Sequence, residues 1–313
     1  MNEYNKPILS ICIPTYNRVN SLKETILSII KQERFRKTDD VEIIISDNCS
    51  DDNTATVVND YTKIYGNEIR YYKNKYNIFD LNFQQALSYG EGVFLKLNND
   101  TLKHRDGSLD KIIEIINKEK AGDNLLFFLN GEKGLTNTTL CNNIDSFVKK
   151  VSFFSTWIGA FGIWKNDFVN LKSFSRRSDL KLIQVDVLFR LINLGRKVLV
   201  INDKLFDTIP PGKKGGYDLL TVFLDNYIFL LTEQLGIGAL SKKTFKQEKR
   251  KLLLKYLAPA LVYTKLWPGL NCFEVKNKYS RIFNHYKKDI VTLFLFYIYY
   301  YLLIPYLFIK IQK

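Results

Sequence analysis

The sequence predicts an α/β fold in which helices cover a doubly wound, mostly parallel sheet. Short apolar runs of strand type alternate with helical periodicities between residues 8 and 97. Turn-forming polar residues directly follow the strongest of these strand runs. Alternation at this spacing predicts parallel strands joined by helical crossovers, and ligands of such sheets bind at the carboxyl ends of the strands.

The first hundred residues carry the clearest patterns. Strands are expected at residues 8–13, 41–46, 69–72 and 92–97. Helices are expected from about Ser21, at 54–65 and at 82–89. Ser21 and Glu24 have the spacing of a capping box, so we expect Ser21 to cap the first helix. We expect Lys96 to lie on a solvated face.

Beyond residue 102 the patterns are weaker. Helices are expected at 109–118 and from about 183, and strands at 125–129 and 198–203. We expect His104, Arg105 and Asp106 to form a surface turn. Proline, glycine and lysine residues at 209–218 predict a cationic loop.

The composition is that of a globular protein with anionic partners. The 313 residues are 46% apolar and 25% charged, with a net charge of +14. This charge suits phosphate-bearing substrates, anionic lipid headgroups or nucleic acid. We expect no nucleic-acid partner, because the sequence has no zinc-type cysteine pairs, helix-turn-helix pattern or RNA-binding aromatic signature. The cysteines are scattered and the first residues hold no apolar secretion-signal segment, which favours a cytosolic location.

Three of the predicted strands end in polar residues that could bind a charged ligand. The first is followed by the turn 14–18, the second by Asp47 and Asn48, and the fourth by residues 98–100, Asn-Asn-Asp. An aspartate beside amides at such an edge suits a divalent cation that bridges to a phosphate. Plain turn chemistry is the alternative, since asparagine and aspartate also favour turns.

These motifs carry a family resemblance. In order and approximate spacing, the chain resembles family-two glycosyltransferases with the GT-A fold through IPTYNR at 13–18, IIISDNCSDDNT at 43–54 and LNND at 97–100. The resemblance is strong over residues 7–102 and weaker to about 230. It implies a GT-A domain at 1–230, with a nucleotide-sugar half at about 7–102 and an acceptor half at about 103–230. Residues 231–313 would form a helical, basic C-terminal region.

The resemblance implies roles for the polar strand ends. The residues that would bind the nucleotide-sugar are Pro14, Thr15, Tyr16, Asn17, Arg18, Asp47, Asn48, Asn82, Asn98 and Asn99. Asp100 would hold Mg²⁺ or Mn²⁺ against the donor diphosphate. Two acids of the family's metal-binding motif are amides here, which should lower metal affinity unless the substrate supplies most ligands. Asp51 or Asp52 is the alternative to Asp47 for contacting the nucleotide, and Asp52 has helix capping as its own alternative.

The acceptor half offers fewer candidates. Asp186, ahead of helically spaced apolar residues, matches the position of the family's catalytic base, and a structural acid at a helix start is the alternative. Trp157 and Trp164 are candidates for stacking on sugar rings, with core packing as the alternative. Lys213 and Lys214 are candidates for contacting the diphosphate or the acceptor, with a solvated turn as the alternative.

The C-terminal region combines basic stretches with an apolar segment. Residues 290–309 hold no charged side chain and could span about 30 Å of hydrocarbon as a helix. Their tyrosines and proline argue equally for an element lying in the membrane interface. We expect association with an anionic membrane surface, with a packed helix or an oligomer contact as the alternative.

Together these features predict an inverting, metal-dependent glycosyltransferase. The donor would be a UDP-, GDP- or dTDP-sugar, and the acceptor a lipid-linked or other saccharide of bacterial O-antigen, capsule or similar surface polysaccharide. The expected location is the cytoplasmic face of the bacterial inner membrane, peripheral or embedded by the tail. The alternative is a non-catalytic GT-A-like scaffold or regulatory protein at the membrane.

Overall fold

The computed structural model describes residues 6–120, 124–132, 138–210, 214–267 and 271–311. The side chains of residues 214–215, 271–272 and 303–311 lie outside this description.

The strands and helices alternate through the first half of the described chain, and helices dominate the end. The strands are β1 Leu9–Thr15, β2 Val41–Asp47, β3 Ile69–Lys73, β4 Phe94–Leu97, β5 Leu102–His104, β6 Asn124–Phe128, β7 Thr138–Cys141, β8 Gly162–Trp164, β9 Lys197–Ile201, β10 Phe206–Thr208, β11 Lys214–Asp218 and β12 Asn271–Glu274. The helices are α1 Val19–Ile30, α2 Glu33–Lys37, α3 Thr54–Tyr65, α4 Leu81–Tyr89, α5 Ser108–Glu119, α6 Ile144–Val151, α7 Lys165–Asn170, α8 Ile183–Asn193, α9 Tyr227–Gly236, α10 Lys242–Lys251, α11 Ala258–Leu266, α12 Lys278–Tyr286 and α13 Ile290–Ile311.

The main sheet has the strand order β3-β2-β1-β4-β8. Its first four strands are parallel, and β8 pairs antiparallel with β4. The central strands β1, β2 and β4 are buried almost throughout, as expected of strands covered on both faces. Each fully buried isoleucine or leucine in them contributes about 1.5–3 kcal/mol through removal from water. The predicted mostly parallel α/β fold is therefore confirmed.

The start of α1 differs from the expected one. The helix begins at Val19, and Ser21 makes no cap there. Instead, Oδ2 of Asp52 accepts a hydrogen bond of 3.0 Å from the Val19 backbone amide, and its Oδ1 accepts from the amide of Thr54 at the start of α3. The capping-box prediction was wrong. The N-cap of α3 is Asn53 and not Asp52, but the Asp52 carboxylate accepts from the first backbone amide of each helix.

The described chain divides into two compact units. The first comprises Met1–Asn142, Trp157–Ser178 and Arg190–Pro210, and the second comprises Asn143–Thr156, Asp179–Phe189 and Pro211–Lys313. The first contains the main sheet and the three-stranded sheet β6-β9-β7. The predicted functional division at residues 102 and 230 stays a prediction.

The second unit is mainly helical. It contains α6 and α9–α13, together with the parallel pair β11-β12. The expected helical C-terminal region is therefore present. Its apolar segment 290–309 lies within α13, and the side chains of that segment are described up to residue 302. Within the described ranges, no helix combines the length and the apolar character needed to cross a membrane.

A buried carboxyl group lies in the core of the second unit. Glu248 on α10 accepts a hydrogen bond of 2.6 Å from the Ser152 hydroxyl and one of 3.2 Å from the Tyr227 hydroxyl. Burial, only partly offset by these donors, raises the pKa of Glu248 from 4.5 to about 7. Between these two values the folded protein holds a proton that the unfolded chain releases.

The free energy of unfolding is therefore expected to fall as the pH rises from about 4.5 to about 7. The Glu248 contribution to this fall is at most about 3 kcal/mol, since each pKa unit corresponds to about 1.4 kcal/mol. Urea unfolding at several pH values should show the fall in the wild type and a weaker one in Glu248→Gln. The exposed Glu274→Gln is the control and should behave as the wild type. An unchanged pH dependence in Glu248→Gln would contradict this account.

Candidate active site

The polar ends of β1, β2 and β4 meet at one edge of the main sheet. Thr15 at the end of β1 lies opposite Asp47 at the end of β2. On the other side of β1, the Asn98 amide continues the ladder with a hydrogen bond of 2.8 Å to the Cys12 carbonyl. This is the position at which open α/β sheets bind ligands, and the parallel register brings about the convergence.

Asp100 is the carboxylate at the centre of this edge. Its Oδ2 accepts a hydrogen bond of 2.9 Å from the Thr15 hydroxyl, and its Oδ1 accepts one of 3.1 Å from Arg18. The Asp100 side chain is buried, whereas the Arg18 side chain is 41% exposed. Burial raises the pKa of Asp100, and Arg18 and Thr15 offset part of that rise. The structure thus joins three residues that the sequence placed in two separate motifs.

The turn after β1 is built by hydrogen bonds to the turn after β2. Asn17 has a positive φ of 52°, a conformation that asparagine tolerates better than most residues. Its amide donates to the Ser50 hydroxyl, and its side-chain oxygen accepts from the Asp51 amide. Pro14 is the last residue but one of β1 and is partly buried, and Tyr16 is 45% exposed. Asn17 therefore shapes the turn, while Tyr16 lies at the surface.

Asp47 is fully buried and has its own set of partners. Its Oδ1 accepts a hydrogen bond of 2.8 Å from the Ser50 amide, and its Oδ2 accepts one of 2.6 Å from the Tyr71 hydroxyl. Burial and the neighbouring Asp47 carboxylate raise the pKa of Tyr71, so the phenol stays a donor. Sequence reasoning missed Tyr71. Only its position in the strand beside β2 connects it with the site, and that pairing is a tertiary fact.

Asn48 and Asn82 hold the loop between β3 and α4. The Asn48 side chain accepts a hydrogen bond of 2.8 Å from the Ile78 amide and donates one of 2.7 Å to the Asn77 side chain. The Asn82 amide group donates to the Ser46 carbonyl at 2.9 Å. Phe79 adopts a positive φ of 51° and is 70% exposed.

Asn98 stabilises the turn that follows β4. It is buried, its Oδ1 lies 3.1 Å from Nε2 of His104, and its Nδ2 donates to the Asn99 carbonyl. His104 is itself buried on β5, so the expected surface turn was wrong at this residue. Burial and the neighbouring Lys96 lower the pKa of His104, which keeps its ring neutral.

Lys96 is fully buried on β4, so the expected solvated position was wrong. Its Nζ donates hydrogen bonds of 2.7 Å to the Gly159 carbonyl and 3.1 Å to the Leu97 carbonyl, and lies 4.5 Å from the centre of the Phe206 ring. Burial lowers the pKa of Lys96 to about 7. The amine ties the turn around Gly159 to the strand that leads to Asp100.

Asn99 has a side-chain oxygen with unused hydrogen-bonding capacity. Its Oδ1 is buried and has no hydrogen-bond partner among the described residues. A Cβ atom on Gly159 would lie 2.8 Å from this oxygen, so a side chain at Gly159 would press on it. Unpaired buried polar atoms are costly and mark places where water, an ion or a ligand completes the hydrogen bonding.

Asp100 and Asn99 offer oxygen ligands that suit a divalent cation whose other ligands come from the substrate and water. Each oxygen of Asp100 accepts one hydrogen bond from the protein and keeps acceptor capacity. In the part of the chain that the structure describes, no three histidine, cysteine or acidic side chains gather into a metal cluster. Magnesium often uses one or two carboxylates and takes its other ligands from substrate phosphates and water. The donor set here is of that type.

The acceptor-side candidates are placed as follows. Asp186 lies in the first turn of α8, in the second unit, and is buried. Trp157 lies in the first unit and is partly exposed, next to Gly159. Trp164 is buried and donates to the Asn124 carbonyl at 2.8 Å, so it packs in the core. Lys213 falls outside the described residues, and the side chain of Lys214 is also outside them.

Several proteins of known structure share the fold of this chain. A mannosyltransferase from Pyrobaculum calidifontis, solved with GDP-Man and Mn²⁺, has a TM-score of 0.57 at 13% identity over 84% of this chain and 74% of that chain. Residues 1–349 of S. aureus TarS with UDP have a TM-score of 0.53 at 15% identity over 82% of this chain and 74% of that chain. At these identities the likeness concerns the fold alone.

Sequence similarity gives the family. A stretch of 88 residues is 41% identical to the abequosyltransferase RfbV of Salmonella typhimurium, and it covers 28% of this chain and 26% of that protein. The chain thus matches about a quarter of the length of that relative. Residues 10–181 match the model of glycosyl transferase family 2. This match covers more than half of the 313 residues and includes every polar strand end of the site, and the protein therefore belongs to glycosyl transferase family 2.

Proposed function

We propose that this protein transfers a sugar, with inversion, from a nucleotide-diphosphate donor to a lipid-linked saccharide of a bacterial surface polysaccharide. The observation that carries the proposal is the buried Asp100 at the carboxyl edge of the sheet, held by Thr15 and Arg18. Membership of the family supports sugar transfer. The abequosyltransferase relative, a bacterial sugar transferase, supports the polysaccharide role.

The donor diphosphate would bind over Asp100. The half-exposed Arg18 guanidinium offers positive charge for its oxygens. Asp100 and the Asn99 side-chain oxygen would hold a divalent cation, which would supply charge to stabilise the leaving diphosphate. The mannosyltransferase structure with GDP-Man and Mn²⁺ supports this pairing of nucleotide and metal. Asp47 and Tyr71 would contact the nucleoside.

Asp186 would be the general base of the reaction. The acceptor hydroxyl oxygen attacks the anomeric carbon as the bond from that carbon to the diphosphate oxygen breaks. The proton of the hydroxyl passes to Asp186, and the nucleoside diphosphate leaves with the bonding electron pair. Attack from the side opposite the leaving group inverts the anomeric centre. The buried position of Asp186 at a helix start suits a carboxylate with a fixed orientation.

Calorimetry with free nucleotides tests the donor site. UDP, GDP and dTDP are titrated into the protein with Mn²⁺ and with EDTA. We expect one nucleotide to bind with Mn²⁺ and to bind at least about 10-fold more weakly with EDTA, because the cation bridges Asp100 and the diphosphate. Equal binding in EDTA would overturn the metal requirement alone. No binding of any nucleotide in either condition would overturn the transferase and favour the non-catalytic scaffold.

A further inference from the structure

Helix α13 packs one side against its own unit. The buried residues on this side are Thr292, Leu293, Phe296 and Tyr300. They recur at spacings of one, three and four residues, which places them on one face of a helix. The packing partners in the same unit include α11, α12 and the helical segment Leu252–Leu257. Over the part of α13 whose side chains the structure describes, one side of the helix therefore packs against the protein.

Polar contacts fix the rotation of this helix. Arg250 on α10 donates a hydrogen bond of 2.7 Å to the Thr292 hydroxyl and pairs with Asp289 at 3.1 Å. Lys278 on α12 donates one of 3.0 Å to the Tyr300 hydroxyl. Turning α13 about its axis would break these contacts. The other side of the helix is thus held outward.

The outward side, which we call the apolar face, is covered with large hydrophobic residues. It consists of Ile290, Val291, Phe294, Leu295, Ile298, Tyr299, Tyr301 and Leu302. Phe294 is 62% exposed and Leu302 is 67% exposed. Single exposed apolar residues are ordinary, but a contiguous face of them indicates a binding surface.

The charges beside the apolar face are positive. Lys287 and Lys288 are exposed and lie just before α13, separated from it by Asp289. The nearest acid in the sequence, Asp289, is already paired with Arg250. Tyr301 lies at the margin, with its hydroxyl 3.3 Å from that of Tyr279 on α12. Apolar residues bordered by lysine and tyrosine suit the boundary between acyl chains and anionic headgroups.

We propose that the apolar face of α13 lies in the surface of an anionic membrane, with the helix parallel to the bilayer plane. The buried side remains on the protein, and Lys287 and Lys288 contact the headgroups. This surface is independent of the nucleotide site, and lipid binding requires no transfer activity.

Flotation of the full chain with vesicles tests the proposal. Vesicles of phosphatidylcholine alone are compared with vesicles in which about 30 mol% of the lipid is anionic phosphatidylglycerol. Neither nucleotide nor metal is added. The wild type is expected to bind the anionic vesicles. Phe294→Glu with Ile298→Glu should bind at least about 10-fold more weakly, because charge at the acyl boundary opposes insertion. Lys287→Gln with Lys288→Gln should lower binding on the order of 30-fold, since each lysine contributes to headgroup attraction.

Ile237→Glu is the matched control, because Ile237 is an equally exposed apolar residue of the same unit and lies outside α13. It should bind as the wild type does. Retained binding in the Phe294 and Ile298 variant, or no wild-type binding to anionic vesicles, would overturn the proposal. Concentration-dependent self-association that the same variant abolishes, without lipid binding, would assign the face to a second copy of the chain.

Discussion

Replacing Asp100 by asparagine is expected to lower kcat/KM for sugar transfer by about 100-fold or more. Asparagine keeps the size of the side chain and an oxygen for the Thr15 hydroxyl, but it removes the negative charge. Arg18 then lacks its partner, and a cation lacks its carboxylate. A bound cation contributes several kcal/mol of charge stabilisation, and each 1.4 kcal/mol corresponds to about tenfold in rate.

The measurement is the transfer rate at increasing Mn²⁺ concentrations. The variant should need more Mn²⁺ than the wild type to reach its own maximum. Asp106→Asn is the control, because Asp106 is an exposed acid close by in the sequence, paired with Lys31 in the structure. It should leave the rate unchanged. A wild-type rate and Mn²⁺ response in Asp100→Asn would show that this carboxylate does not hold the cation.

Replacing Asp186 by asparagine is expected to lower kcat by about 10²- to 10⁴-fold, the range of general-base catalysis. Nucleotide binding should stay at the wild-type level, because the residue is proposed to act on the acceptor hydroxyl and not on the donor. Steady-state kinetics and calorimetry on the same preparation separate these two effects.

Asp145→Asn is the matched control for Asp186→Asn, because Asp145 also lies in the first turn of a helix of the second unit. A role limited to the helix dipole predicts a stability loss of about 0.3–1 kcal/mol for Asp186→Asn and an unchanged kcat for both variants. Equal kcat values in the two variants would therefore show that Asp186 is not the general base.

The strand and helix order of the first hundred residues could be predicted with good agreement. Buried parallel strands need continuous apolar runs, and the helix at 54–65 and the strand at 41–46 differ from the structure by at most one residue at either end. The position of Asp100 at the end of β4 followed from the same pattern. The roles proposed for Asp100, Asp47 and Asp186 in binding and catalysis stay predictions.

The wrong predictions concern positions where contacts with residues far away in the sequence determine the role of a side chain. Ser21 looked like a cap, but Asp52 reaches Val19 from another loop. Lys96 looked solvated because lysine is rarely buried, yet carbonyl groups and aromatic rings accommodate its amine in the core. His104 looked like part of a surface turn, but it packs against the Phe206 ring.

The sequence by itself determined the α/β class and the polar residues at the strand ends, because apolar periodicity and turn chemistry are local properties. Only the tertiary structure decided how those residues are used. Strand register brought Thr15 and Arg18 to Asp100 and directed Tyr71 at Asp47. It also left the Asn99 oxygen without a hydrogen-bond partner among the residues that the structure describes. Packing likewise decided which side of α13 is buried and which faces outward. Hydrogen bonds and burial depend on distances between residues far apart in the chain, and the folded backbone sets those distances.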